Sequence, residues 1–157
     1  MRLLISYQEL QQLVAEELNQ NVALQLGGND VLKLTLHTSI KKIVTINVDS
    51  SAELKLSLYG DDLYIDYRVL PIENVKNEAL LGIIDSLTPN AVNLVLNYLR
   101  HKYPQYNDIV EKVPNMDRLR VHLNAIPQLK NVLQYVEIDS IVPREEGMQI
   151  IARMKSN

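Results

Sequence analysis

Residues 32–69 alternate between apolar and polar side chains, and this period of two constrains the fold more than any other feature of the chain. The segment LKLTLH, which begins at Leu32, shows the pattern, with leucine at every second position. Comparable segments cover 44–49, 54–58 and 63–69. Since successive side chains of a strand point to opposite faces of a sheet, these segments predict strands with one apolar face.

Short polar segments with the composition of turns separate these strands. They cover 27–30, 49–51 and 60–62, and contain Gly, Asn, Asp and Ser. Gly and Asn accept positive φ, while Asp and Ser side chains bond nearby backbone groups. Short turns join antiparallel neighbours, so with an opening strand over 22–26 the sequence predicts a meander of four or five strands.

An amphipathic helix precedes this meander. Ser6 with Glu9 three residues later has the spacing of a capping box, and apolar residues then recur at helical intervals. We expect a helix over about 6–19.

The C-terminal third is expected to be mixed. A helical turn is predicted over 106–113, a strand over 118–123 and a short helix beginning with proline over 127–133. Two further alternating segments, 136–142 and 148–154, read as a hairpin around Glu-Glu-Gly.

The most apolar stretch of the chain is ALLGIIDSLTPNAVNLVLNYL, residues 79–99. Pro89 divides it into two predicted helices, 74–87 and 89–102, which can also form one kinked helix. Its length would suit a membrane span, but Asp85 and three asparagines argue against one. On a helical projection the apolar side chains fill an arc of roughly 220°, so this helix needs cover on at least two sides.

Together these elements predict a single α+β domain over 1–157, with a curved antiparallel sheet packed by helices and a very apolar central helix. This element order resembles that of tubular lipid-binding proteins and related small bacterial lipoproteins. The resemblance covers most of the chain and implies a lipid-like ligand held between sheet and helix. This chain differs in having no cysteine, Phe or Trp.

Two interpretations of the apolar faces stay open. In the first, the domain holds an apolar small molecule; in the second, it has a fully packed core and acts in protein interaction or homo-oligomer formation. Tyr103 and Tyr106 follow the apolar helix and are candidates for a ligand mouth or a protein contact. The candidate residues for an apolar ligand are Leu54, Leu56, Ile84, Leu87, Val95 and Tyr98.

Motifs for catalysis are not recognisable, so we expect a non-catalytic protein without a metal or cofactor. Without cysteine, thiolate chemistry and disulfides are excluded, and the histidines lack zinc-motif spacing. Arg118, Arg120 and His122 share one strand face. That row suits either an anion or, as we favour, cross-strand pairing with Glu137 and Asp139.

The charge distribution argues against nucleic acid as a partner. The formal net charge is -3, and the longest basic run is the pair Lys41–Lys42. The apolar run near the N-terminus is too short for a signal peptide, so the expected location is cytoplasmic, although a chain with a trimmed export signal would look the same.

Overall fold

The computed structural model describes residues 1–18, 21–41, 45–70 and 108–156, which form two antiparallel sheets with short helices. The strands are β1 Arg2–Ser6, β2 Asn21–Gly28, β3 Val31–Lys41, β4 Thr45–Tyr59, β5 Asp62–Val69, β6 Val110–Lys112, β7 Arg118–His122, β8 Val136–Pro143 and β9 Gly147–Met154. The helices are α1 Tyr7–Leu18 and α2 Pro127–Lys130, with 3₁₀ turns at Leu123–Ala125 and Val132–Gln134.

The larger sheet has six strands in the order β2-β3-β4-β5-β7-β6, all antiparallel to their neighbours. The predicted meander is confirmed over β2 to β5, and the turns at Asp30 and Gly60 adopt positive φ angles of 56° and 63°. The predicted strand at 118–123 is confirmed as β7, which pairs with β5.

The turn predicted at 49–51 is wrong, because β4 continues through it as one strand. Its polar residues pair with β3 instead of bending the chain. The Thr35 and Ser51 hydroxyls lie 3.0 Å apart, and His37 Nδ1 lies 2.6 Å from Asp49 Oδ1. Cross-strand polar partners therefore outweigh the local turn preference of these residues.

Helix α1 begins as the capping pattern predicts. The backbone N–H of Glu9 donates to Ser6 Oγ at 3.2 Å, and Glu9 places a negative charge in the first turn. The Tyr7 hydroxyl donates to the carbonyl of Arg144 and ties the start of α1 to the β8–β9 hairpin.

The smaller sheet has the order β1-β9-β8 and contains the predicted C-terminal hairpin. Its third strand, β1, pairs antiparallel with β9 from Arg2 opposite Ile151 to Ser6 opposite Gly147. A Cβ on Gly147 would lie 2.8 Å from the Ser6 Cα, so only glycine allows this approach of β1.

The core of the described chain lies where the two sheets and α1 meet. Tyr7 from α1, Leu24 and Leu32 from the larger sheet and Met148 from the smaller sheet are buried in one cluster. Flanking side chains from all these elements pack against it, so the small sheet and α1 together cover part of the apolar face of the large sheet.

The expected fold class, an α+β domain whose curved sheet is packed by helices around an apolar central helix, is wrong. Among the described residues the structure is mostly antiparallel sheet, and a second sheet supplies much of the cover that we assigned to helices. The physical reason is that β1, β8 and β9 present an apolar face of their own. The predicted helices at 74–87 and 89–102, with the stretch 79–99, lie outside the described residues.

The part of the predicted helical turn at 106–113 that the structure describes is also corrected, since Val110–Lys112 is the strand β6. The predicted short helix at 127–133 is confirmed as α2 and the following 3₁₀ turn.

Candidate functional site: the exposed edge of the smaller sheet

Two of the predicted apolar-ligand residues lie within the described chain. Leu54 and Leu56 are partly buried on β4 and pack against the core cluster between the sheets. Their neighbours there are protein side chains, which favours the packed-core interpretation. The other predicted site residues lie outside the described residues, and the apolar-ligand hypothesis stays a prediction. They are Ile84, Leu87, Val95, Tyr98, Tyr103 and Tyr106.

The predicted basic row on β7 is paired, but its partners differ from those expected. Arg118 donates to both carboxylate oxygens of Asp66, at 2.6 and 3.1 Å. Arg120 donates through Nε and Nη2 to Asp62 Oδ2, at 3.0 and 2.6 Å. The strand register explains this choice, because β5 lies directly beside β7 and brings each aspartate opposite or diagonal to an arginine.

The expected partners of that row, Glu137 and Asp139, pair with Arg153 instead. Arg153 Nη2 lies 3.2 Å from Glu137 Oε2, and Arg153 Nε lies 3.1 Å from Asp139 Oδ1. These residues belong to the smaller sheet, so the sequence correctly suggested cross-strand pairing but assigned it between strands of different sheets.

Asp62, on β5, contacts two members of this row, Arg120 and His122. His122 Nδ1 lies 2.9 Å from Asp62 Oδ1, and His122 Nε2 lies 3.5 Å from Glu111. Burial acts to raise the pKa of Asp62, but the hydrogen bonds and positive charges of Arg120 and His122 outweigh it and hold that pKa below its ordinary value.

Tyr64 completes this surface. The guanidinium carbons of Arg118 and Arg120 lie 5.3 and 5.8 Å from the centre of its ring, within the range of cation–π attraction. Each arginine is therefore held by a carboxylate and an aromatic ring together. The arginine and aspartate charges of this surface are therefore paired with one another. Within the described ranges, no group of three or more acidic or histidine side chains is placed to hold a metal ion.

The sheet edges offer a different kind of site, and three of the four edge strands carry a device that discourages pairing with another chain. On β2 the outward N–H of Leu24 donates to the Gln11 side chain of α1 at 2.8 Å. On β6 the edge is three residues long and includes two exposed charged side chains. On β8 the strand has an irregular register between Ile138 and Ser140, two exposed acidic residues, and a terminal proline. Each is a recognised protection of a sheet edge.

The fourth edge strand, β1, has no covering side chain, irregular register, acidic residue or proline within the described chain, and its one charged side chain is that of Arg2. Met1 and Ala152 exchange two backbone hydrogen bonds, of 2.8 and 2.9 Å. Because bonding alternates along an antiparallel pair, Leu3 and Ile5 face β9 in the same way, and the N–H and C=O groups of Arg2 and Leu4 point outward. We call this outward side of Arg2–Ser6 the β1 edge.

Exposed apolar side chains surround the β1 edge. Leu3 is 53% exposed and Leu4 is 48% exposed, on opposite faces of the strand. Met1 at 75% and Met154 at 68% continue the apolar surface on the side of Leu3. Apolar side chains beside outward-facing backbone groups form a template for another strand.

Sequence reasoning missed β1, because the run Leu3-Leu4-Ile5 was weighed only against the length of a signal peptide. A signal was present in the run itself. Three consecutive apolar residues directly before a helix cap cannot belong to that helix's apolar stripe, and a short strand is the other structure that accommodates them.

Comparison of the chain with family models, with curated proteins and with solved structures found no match. The resemblance to tubular lipid-binding proteins is therefore still a prediction from element order. Among the described residues, no helix is long and apolar enough to cross a membrane.

Proposed function

We propose that this chain is a non-catalytic protein-interaction domain that accepts a β-strand from another polypeptide along the β1 edge. The single observation that supports the proposal is that β1, alone among the four edge strands of the described sheets, combines outward-facing backbone groups with large exposed apolar side chains of its own, Leu3 and Leu4.

The chemistry of strand addition fits this edge. Outward N–H and C=O groups of Arg2 and Leu4 give affinity through main-chain hydrogen bonds, and the side chains of Leu3 and Leu4 add apolar contact on both faces. The strand Arg2–Ser6 carries a single charge, at Arg2, so it tolerates partners of varied sequence better than the acidic β8 edge does.

The positions of the histidines and acidic residues favour binding over catalysis. His37 and His122 each lie against a carboxylate on the hydrophilic face of the six-stranded sheet. Among the described hydrogen bonds, none joins a serine or threonine hydroxyl to a histidine or carboxylate that could activate it as a nucleophile.

Photo-crosslinking at the β1 edge tests the proposal. A photoreactive amino acid replaces Leu4, and a matched variant carries it at Leu13, which is 58% exposed on α1. Both proteins are irradiated in an extract of source cells, and crosslinked proteins are identified by mass spectrometry. We expect position 4 to capture a defined protein that position 13 does not capture.

The captured protein is then purified and added to the unmodified chain. Strand addition predicts slower amide hydrogen exchange at Arg2 and Leu4, with little change at Leu24, whose N–H is already bonded to Gln11. Equal capture at both positions, or an identified partner that leaves Arg2 and Leu4 unprotected, would contradict the proposal.

A further inference from the structure

We propose that His122 is a pH-sensitive latch, which holds the edge strand β6 more firmly against β7 when its imidazole ring is protonated. The latch is independent of strand addition at the β1 edge. It rests on the two ring nitrogens of His122, which face carboxylates on two different strands. Nδ1 lies 2.9 Å from Asp62 Oδ1 on β5, and Nε2 lies 3.5 Å from Glu111 Oε1 on β6.

Asp62 determines which nitrogen carries the hydrogen in the neutral ring. Despite its burial, Arg120 and His122 hold the pKa of Asp62 below its ordinary value, so this carboxylate is ionised near neutral pH. An ionised carboxylate only accepts hydrogen bonds, and the contact at 2.9 Å therefore requires the hydrogen on Nδ1. Nε2 of the neutral ring is left with a lone pair.

Glu111 makes the state of Nε2 matter to β6. In the neutral ring, the lone pair of Nε2 faces a carboxylate oxygen of Glu111, and two acceptors do not form a hydrogen bond. Protonation places an N–H on Nε2 and a positive charge on the ring, so the same contact becomes a charge-assisted attraction. The bond to Asp62 is present in both states, and the change therefore acts on β6.

The other charged groups around His122 keep their charge between pH 5 and pH 8. Arg120, the next residue on this face of β7, stays protonated and places Nη1 3.5 Å from the same Glu111 oxygen. In the turn before β5, the Asp61 carboxylate accepts a bond from a neighbouring amide side chain. Asp108, which precedes β6, forms no ion pair with His122 in the described chain, and the 3₁₀ turn after β7 has no charged side chain. Carboxylates take up protons only near pH 4, so among these groups histidine is the one that titrates in this range.

The short strand β6 is sensitive to a single contact. It spans three residues and pairs with one neighbour, β7. Two backbone bonds flank it, from the His122 N–H to the Ile109 carbonyl at 2.7 Å and from the Val113 N–H to β7 at 2.9 Å. The alternation of the antiparallel pair places the Glu111 N–H against the Arg120 carbonyl between them. Opening of β6 leaves β7 as the edge of the larger sheet, so the latch adjusts with pH how well this edge is protected.

NMR of the imidazole ring tests the first step. Long-range proton–nitrogen spectra recorded from about pH 8 to about pH 5 distinguish the two neutral tautomers, and His122→Gln assigns the signals. We expect the neutral ring to carry its hydrogen on Nδ1. A neutral ring with its hydrogen on Nε2 would overturn the proposal, because Nε2 would then donate towards Glu111 before protonation.

Amide hydrogen exchange measures the latch itself. Exchange at Glu111 and Val113 is compared at about pH 5.5 and about pH 7.5 after division by the intrinsic rates, and Leu24 on the β2 edge reports changes that affect the whole sheet. Because Glu111 is half exposed, the effect of its ion pair is modest. We expect protection at Glu111 to be about threefold greater at the lower pH, without a matching change at Leu24.

Two variants on β6 separate the latch from general effects of charge. Glu111→Gln should lose most of the pH dependence, and its lost contact with Arg120 should lower protection equally at both pH values, because arginine does not titrate there. Lys112→Gln removes an exposed charge from the same strand and should keep the threefold difference. Circular dichroism checks that both variants fold. An undiminished pH dependence in Glu111→Gln, or equal protection at both pH values in the unmodified chain, would overturn the proposal.

Discussion

The two sheets differ in how their edges are finished. In the six-stranded sheet, α1 supplies a side chain to the β2 edge and the β6 edge is short and charged. In the three-stranded sheet, β8 is protected by acidic residues and a terminal proline, whereas β1 is left with outward backbone groups and exposed leucines. Both edges of the larger sheet are thus protected within the described chain. In our proposal the β1 edge of the smaller sheet is instead paired with a strand of a partner.

Removing the contact between the sheets should have the largest effect. Leu32→Ala deletes a buried side chain of the cluster that also contains Met148, and a cavity of this kind costs about 3 kcal/mol of the free energy of unfolding. Urea unfolding measures the loss. Leu13→Ala, at an exposed position on α1, is the control and should change stability by less than about 0.5 kcal/mol. Similar losses in both variants would mean that the cluster does not join the sheets.

A smaller effect is expected from displacing β1 without touching the core. Gly147→Ala places a Cβ 2.8 Å from the Ser6 Cα, and because this neighbour is backbone it cannot rotate away. We expect a loss of about 2 kcal/mol in urea unfolding, since β1 must shift from β9. Gly28→Ala is the matched control because a Cβ there meets nothing within 4 Å. A Gly147→Ala variant as stable as Gly28→Ala would remove the support for this tight β1–β9 pairing.

The regions changed by Leu32→Ala and Gly147→Ala differ in how well the sequence predicted them. The alternation over 32–69 predicted strands correctly because every second residue faces the core, and Ser6 with Glu9 predicted the start of α1 for a purely local reason. The second sheet was not predicted as a layer. Its strands are separated by more than a hundred residues, since β1 pairs with β9, and period two carries no information about which strands pair.

The candidate site was missed for a related reason. A strand lies at an edge when no second strand pairs with one of its sides. The residue pattern of Arg2–Ser6 does not indicate whether such a second strand is present. The partners of Arg118 and Arg120 were likewise assigned to the wrong strand, because the sequence indicates that a basic row needs acids but not which strand lies beside it. Pairing of side chains was predictable from chemistry, whereas topology was not.

The polar face of the larger sheet offers a test through pH. Arg120 and His122 hold the pKa of Asp62 below its ordinary value of 3.8, so the folded state favours the ionised carboxylate. That contribution to stability is fully present above about pH 5 and is lost as the pH falls through the lowered pKa. Asp62→Asn should therefore be less stable than the unmodified protein by up to about 1 kcal/mol near neutral pH, and the difference should shrink below about pH 4.

Thermal unfolding from pH 7 to pH 3 measures this difference. Asp61→Asn is the neighbouring control, since Asp61 is exposed in the turn before β5 and accepts a single side-chain bond, from Asn124. A difference between Asp62→Asn and the unmodified protein that grows as the pH falls would have the opposite sign to the one expected from a lowered pKa.

The smallest effect is expected where the comparison between the edges is most direct. Gln11→Ala removes the side chain that accepts the Leu24 N–H, which opens the β2 edge in the way that the β1 edge is already open. The lost hydrogen bond costs about 1 kcal/mol, and the better helix propensity of alanine returns part of it, so we expect a net loss of about 0.5 kcal/mol. Gln12→Ala, at the exposed neighbouring position, gains the propensity without losing the bond and should be slightly stabilised.

Amide hydrogen exchange at Leu24 is the decisive measurement, because it should quicken in Gln11→Ala and not in Gln12→Ala. If Leu24 stays protected without Gln11, another group covers the β2 edge, and the contrast with β1 no longer depends on this one side chain.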